Sequence, residues 1–262
     1  MIDFHTHVLP NIDDGARNID ETFNLLVEAK QAGFEAIIAT SRYMENYYET
    51  DTPEKEVLIN LIYQHLKKYN LGIKIYLGNE IYLSSNIIKL LEEGKASTIN
   101  DTSYVLFELP INTEPENLYE MINEMRKCKL VPVLAHPEKY TFIQKEPELL
   151  YNLISEGVLM QVNYGSIVGE SGKKAQLLVE KMYENNMVHL LGTDVQRSST
   201  IYNQIPEILE ILENYIGEEK LEQLTTINPK LVLKNKRIFV TEPTSIEMSL
   251  KEKIIMRLGF IK

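Results

Sequence analysis

A parallel α/β barrel is the fold class that this sequence predicts, on two patterns: seven short apolar runs and the amphipathic stretches that separate them. The runs are near-continuous rather than alternating, as in strands covered on both faces by helices. Strands that alternate with helices through right-handed crossovers build a parallel barrel rather than an antiparallel sandwich. At 262 residues the chain has room for two small domains and is equally ordinary for a single barrel.

The strand candidates are residues 2–4, 36–39, 73–77, 104–107, 131–135, 159–162 and 188–191. Residues 22–32 carry Phe23, Leu25, Leu26 and Ala29 at helical spacing and stop at Gly33, a residue suited to a helix C′ position. Thr52 and Pro53 read as N-cap and first helical residue, with Val57, Leu58, Leu61, Ile62 and Leu66 as the inward stripe. Stretches 115–127, 147–156 and 173–185 repeat the pattern. After Asp194 strand chemistry largely ceases, and 205–215, 218–225 and a start at Asn228-Pro229 read as helices that close the barrel. The barrel and its closing helices are thus expected over 1–242, with 243–262 as an appendage. There Lys251, Lys253, Arg257 and Lys262 alternate with Leu250, Ile254, Ile255, Met256, Leu258, Phe260 and Ile261. This basic amphipathic end reads first as a packed terminal helix, and second as a contact for a partner or an anionic surface.

Composition narrows the function. With 27 basic against 38 acidic side chains the net charge is −11, which argues against bulk nucleic-acid binding, because phosphate neutralisation needs excess Lys and Arg. Cys128 is the single cysteine, so no internal disulfide forms and a reducing compartment is expected. The first residues lack a basic leader, and no apolar run approaches the ~20 residues of a membrane span. A soluble, cytoplasmic protein is the expectation.

The chemistry lies in where ligand-type side chains fall. His5 and His7 end the first strand, Glu80 the third, Glu108 the fourth, His136 the fifth and Asp194 the seventh. In a parallel barrel these C-terminal ends converge on one mouth, where active sites are built. Carboxylates and imidazoles gathered there neutralise or repel one another unless cations sit among them. Imidazole with carboxylate and no thiolate suits Mn, Fe or Zn. A shared carboxylate, Glu80, would bridge two ions about 3.5–4 Å apart. Singly, each residue has a plainer explanation: a surface strand end for Glu108, a loop histidine for His136, a capping role for Asp194. Their joint placement at five of seven strand ends does not. His65 and His189 fall in mid-helix and inside a buried strand and read as structural.

Collinear segments over residues 1–235 then carry a resemblance. They are His5-Thr6-His7 with the run from Leu9 through Asp13-Asp14-Gly15, Gly78-Asn79-Glu80, Ile99 to Tyr104, Phe107-Glu108, His136-Pro137-Glu138 and Asn186 to His189. The sequence resembles the PHP-domain phosphoesterases, and within them the bacterial capsule and exopolysaccharide tyrosine-protein phosphatases of the CpsB/CapC/YwqE type. The resemblance implies a single-domain distorted (β/α)7 barrel and manganese-dependent hydrolysis of phosphotyrosine. The phosphorylated tail of a polysaccharide-export tyrosine kinase would be substrate and partner. By the same resemblance His5, His7, Glu80 and Asp194 hold one Mn2+, and Glu80, Glu108 and His136 a second. Asp14 belongs to a third site whose two histidines are replaced here by Arg42 and Gln196, and the family's arginine after His-Pro-Glu is Lys139. Arginine cannot ligate a metal and Gln is a poor ligand, so two ions are expected, with Arg42 paired to Asp14. Arg42, Lys139 and Arg197 are the cations expected to face the phosphate. Two rivals are a small-molecule phosphatase of the histidinol-phosphatase kind and a non-catalytic module that binds the phosphorylated kinase. Turnover with manganese separates them.

Overall fold

The structure, a computed structural model, describes residues 1–197 and 201–258. Phe260, Ile261 and Lys262 of the expected tail lie outside the described residues. The strands are β1 (Ile2–Thr6), β2 (Ala36–Tyr43), β3 (Lys74–Tyr82), β4 (Tyr104–Glu108), β5 (Val131–Ala135), β6 (Leu159–Asn163) and β7 (Leu190–Gly192). Each pairs in parallel with the next in chain order. A bridge from Thr6 to Val195 draws the exit of β7 against β1, with the Asp194 N–H donating to His5 O at 2.8 Å and the His7 N–H to Val195 O at 2.8 Å. The sheet is therefore a nearly closed seven-stranded barrel, a single α/β domain.

The barrel wall separates two apolar layers. Along β2, Ala36 and Ile38 turn inward to join Phe4, Leu106, Val133 and Leu190, while Ile37 and Ala39 face the helices beside Leu25, Leu26 and Leu134. Each fully buried Ile, Leu or Phe contributes about 1.5–3 kcal/mol. This double burial is why the strands read as continuous apolar runs. The exceptions are instructive. β2 and β3 run four and five residues past their apolar stretches, to Tyr43 and Tyr82, so Arg42 and Glu80 lie inside strands and are paired in register across the two.

The outer helices are α1 (Ile19–Gln31), α2 (Thr52–Lys68), α3 (Ile87–Glu92), α4 (Leu118–Lys127), α5 (Thr141–Lys145), α6 (Glu148–Ser155), α7 (Tyr164–Ile167) and α8 (Lys173–Glu184). α1 starts before its apolar stripe because the Asn18 side chain accepts the Glu21 N–H at 2.9 Å. On α2 two expectations are corrected. Asp51, not Thr52, is the N-cap, accepting the Glu54 N–H at 3.0 Å. Val57 and Leu61 are 61% and 49% exposed, while Lys55, Ile62 and Leu66 are buried. The helix is rolled so that the Lys55 ammonium reaches Asn79 Oδ1 and, at 2.7 Å, Ser97 Oγ.

Beyond β7 come α9 (Ile201–Ile216), α10 (Glu218–Glu222), a π-helical turn (Gln223–Ile227) and α11 (Asn228–Leu233). Val232 and Ile238 then plug the end of the barrel opposite the mouth, completing the inner layer. α12 (Leu250–Leu258) lies against α5 and α8 with Met256 buried.

Candidate metal centre

His5 and His7 stand on one side of β1 and its exit, and each ring is oriented by its Nδ1. Gln161 on β6 donates its amide to Val162 O and Asn163 Oδ1, both at 2.9 Å, which leaves Oε1 as the acceptor for His5 Nδ1–H at 2.7 Å. Asp13 Oδ2 accepts His7 Nδ1–H at 2.8 Å. With both protons on Nδ1, the two Nε2 lone pairs face each other at 3.2 Å. Around them stand Glu80 Oε1 at 3.5 Å from His5, Glu80 Oε2 at 3.4 Å from His7, and Asp194 Oδ1 at 3.6 and 3.3 Å. Asp194 Oδ1 is buried and has no donor. Two imidazole Nε2 atoms beside buried carboxylate oxygens, one of them without a donor, have the composition of a divalent-cation site.

Glu80 extends the set. His136 Nε2 lies 2.8 Å from Glu80 Oε1, and Glu108, at the end of β4, groups with both within ligand distance. His136 and Asp194 both hold left-handed backbones, at φ 35° and 54°, the first just before Pro137. Asp3 supports the second, accepting Thr193 N–H and Oγ1–H at 2.9 and 2.7 Å and the Tyr202 hydroxyl at 3.0 Å. Burial pushes the Asp3 carboxyl up to about 6. Two glycines permit the close packing. A Cβ on Gly192 would meet His5 Cβ at 2.5 Å, and one on Gly15 would meet His7 O at 2.1 Å.

Arg42 joins the carboxylates. Its Nη1 donates to Asp14 Oδ2 at 2.9 Å and its Nη2 to Glu80 Oε2 at 3.0 Å, and Nε lies 3.0 Å from Glu108 Oε1. The guanidinium thus sits among three carboxylates at the lip of the cluster. Lys139 Nζ and Asn163 Nδ2 both donate to Asp194 Oδ2, at 2.5 and 2.8 Å. An open cleft of about 580 Å³ leads outward from here, lined by Asp14, Lys139, Asn163, Ser166, Gln196 and Arg197.

Charge follows the contacts. Burial works against ionised Glu80 and Asp194. The histidines hold Glu80 well below the usual carboxylate range, and Lys139 with the histidines does the same for Asp194. Burial disfavours a cationic His7, yet Asp13, Asp194 and Glu80 outweigh it and push the imidazole well above its ordinary value, so that without a metal ion a proton takes the Nε2 position that the ion would hold. Glu108 is driven the other way, up to about 8, by burial and by the Glu80 charge. The cluster attracts positive charge more strongly than its own cations supply.

The structure brings His5, His7, Asp14, Arg42, Glu80, Glu108, His136, Lys139 and Asp194 to one mouth and sets Arg197 on the cleft beside it. His65 lies away from them against Phe23 and Tyr69. His189 is also apart: its Nδ1 accepts the Met160 N–H at 3.0 Å, and burial pulls its pKa down to about 3. Sequence reasoning missed Asp3, Asp13, Gln161 and Asn163. The alternation of Gln161 and Asn163 on β6, like that of His5 and His7 on β1, was the available signal.

Residues 1–234 match the family model for capsular polysaccharide synthesis, CpsB/CapC. The tyrosine-protein phosphatase YwqE of Bacillus subtilis is 29% identical over 94% of this chain and 97% of its own length. The tyrosine-protein phosphatase CpsB of Streptococcus pneumoniae is 25% identical over 91% of this chain and 100% of its own. A solved structure from work on YwqE and CpsB, described as unique metal-dependent tyrosine phosphatases, superposes with a TM-score of 0.89 at 29% identity, covering 95% of this chain and 100% of that one. Histidinol phosphate phosphatase from Lactococcus lactis shares the fold alone, with a TM-score of 0.52 at 14% identity over 86% of this chain and 94% of that one.

Proposed function

This chain belongs to the CpsB/CapC family of capsular polysaccharide synthesis, and from that premise we propose that it is a metal-dependent phosphatase acting on protein phosphotyrosine. The observation that carries the reading is the pair of facing Nε2 lone pairs of His5 and His7, ringed by Glu80 and the donorless Asp194 Oδ1. His5, His7, Glu80 and Asp194 would hold one ion, and Glu80, Glu108 and His136 the other. Mn2+ is the ion proposed, with Fe and Zn compatible with the same nitrogen and oxygen donors. When bound, such ions supply Lewis acidity toward phosphoryl oxygens and toward water.

The chain's own residues do the rest. Lys139 and Arg197 line the cleft by which a phosphotyrosine side chain would enter, and they neutralise charge on the phosphoryl oxygens. Arg42 keeps Asp14, Glu80 and Glu108 charge-balanced, and its two uncommitted Nη–H bonds add donors at the lip. Because its guanidinium stands beside Asp14, it takes the place that a third ion would need, and two ions per chain is the proposed stoichiometry. The leaving phenol has a pKa near ~10, so its departure depends less on a strong proton donor than that of an alkoxide. The proposed substrate is the phosphorylated tail of a polysaccharide-export tyrosine kinase in the cytoplasm. No helix among the described residues is long and apolar enough to cross a membrane. Residues 1–242 form the catalytic unit in this reading, and 243–262 an appended segment.

Turnover of a phosphotyrosine peptide with manganese tests the proposal. Glu80→Ala should lower it by more than about 100-fold, beyond the loss typical of a residue that only orients a ligand. A preference for phosphoserine, or turnover indifferent to a chelator, would overturn the reading. Arg42's hold on Glu80 and Glu108 favours one alternative, a module that binds phosphotyrosine without hydrolysis. In that case wild-type protein retains the peptide intact.

A further inference from the structure

At the barrel end opposite the mouth, six cations gather on two segments of the chain. Arg126 and Lys127 end α4, Lys129 follows it, and Lys234, Lys236 and Arg237 follow α11; all six are exposed. Cations in a last helical turn complement the helix dipole, which accounts for Arg126 and Lys127. Lys129, Lys236 and Arg237 stand beyond those turns. Among the described residues only Arg126 of the six is ion-paired, to Glu156 at 2.8 Å. Glu35, Asp101, Glu156 and Glu184 lie in strand-entry connections or helix ends at the same end of the barrel, so the positive charge is local to the cleft that Arg126, Lys129 and Arg237 rim.

The segment that carries three of these cations is fixed in place. Asn235 Oδ1 accepts the Ser103 N–H and hydroxyl at 3.0 and 2.8 Å, the Tyr104 hydroxyl donates to Lys236 O at 2.7 Å, and Ile238 is sunk in the inner core. The next residue, Phe239, is nevertheless 75% exposed, and Val240 follows at 37%. Beside them an apolar cleft of about 570 Å³, floored by Leu130, Pro132 and Leu159, is rimmed by Arg126, Lys129 and Arg237. A well-anchored strand of chain that leaves an aromatic ring in water among unpaired cations has the make-up of an interfacial contact.

We propose that this end of the barrel docks on an anionic phospholipid surface, with Phe239 and Val240 entering the interface and Lys129, Lys236 and Arg237 meeting lipid phosphates. Charge complementarity selects this partner, and the exposed Phe239 and Val240 beside the cations favour an interface that apolar side chains can enter over a soluble polyanion. A molecule of net charge −11 is repelled from the same surface in other orientations, so docking leaves the metal-site mouth facing away from the lipid. The inference is independent of the proposed phosphatase activity.

Co-sedimentation of the full chain with vesicles of mixed phosphatidylglycerol and phosphatidylcholine, against pure phosphatidylcholine, tests it, with unchanged thermal melting as the check that variants fold. Retention is expected on the anionic vesicles alone and should be released by high salt. Phe239→Ser, and Lys236→Glu combined with Arg237→Glu, should each weaken partitioning by roughly tenfold or more. Absence of retention, or equal retention by both variants, overturns the proposal. Binding of soluble polyglutamate without vesicle retention also overturns it, and assigns the surface to an acidic protein segment.

Discussion

At Arg42 a single guanidinium draws together carboxylates from three parts of the chain. Its Nη1 donates to Asp14, its Nη2 and Nε both donate to Glu80 Oε2, Glu108 Oε1 lies 3.0 Å from Nε, and arginine stays charged at any working pH. Arg42→His removes the permanent charge and offers Asp14 an imidazole partner. Metal analysis after loading with excess manganese is therefore expected to rise from two ions per chain toward three in the variant. A wild-type protein that already holds three would refute the role given to Arg42. Asp13 and Asp14 show a related division of labour between neighbours. Asp13 turns inward to fix the His7 tautomer, while Asp14 faces the cleft and Arg42.

Among the elements, β2 and β3 matter most, because their polar continuations build the lip of the site. Arg42 and Glu80 are register partners, so their side chains meet without any loop to position them. Directly behind them Asn79 Nδ2 donates to Ser41 O at 2.7 Å, and its Oδ1 receives Lys55 from α2. This places a buried ammonium with neutral partners in the helix–sheet interface, and burial pulls its pKa down to about 8. In the unfolded chain the value is near ~10.4. Between those limits the unfolded state binds more protons, so stability rises with pH from about 8 toward 10.4, and the full cost of charging is present below about 8. The span corresponds to roughly 3 kcal/mol at most. Urea midpoints should rise more steeply with pH over that window in the wild type than in Lys55→Met. Parallel curves for the two proteins would remove Lys55 as the cause.

For the whole molecule, the cluster ties the first and last strands of the barrel together: β1 supplies His5, the segment after β7 supplies Asp194, and Asp3 braces the turn at Thr193. Metal binding at this seam should therefore stabilise the closed barrel by mass action. At a hundredfold excess over Kd the gain is about 2.7 kcal/mol, or roughly 5–10 °C in Tm for a chain of this size. Chelator should lower the melting temperature by that amount and manganese should restore it. A Tm indifferent to both would mean that the mouth holds no ion. The apolar inner layer is closed separately by Val232 and Ile238, so loss of metal is expected to loosen the mouth without unfolding the opposite end.

The sequence by itself determined the seven strands, their parallel order and the ligand-type residues at their ends. Strands buried on both faces need unbroken apolar runs, and a barrel directs its polar exits to one place. Tertiary structure alone decided how far β2 and β3 continue, which of Asp13 and Asp14 turns inward, that Gln161 and Asn163 orient the site, and that Lys55 rather than Val57 and Leu61 faces the sheet. Hydrophobic periodicity separates side chains that shun water from those that do not. A polar residue buried because a distant partner satisfies it carries the same local pattern as one in solvent, and only the fold reveals the partner.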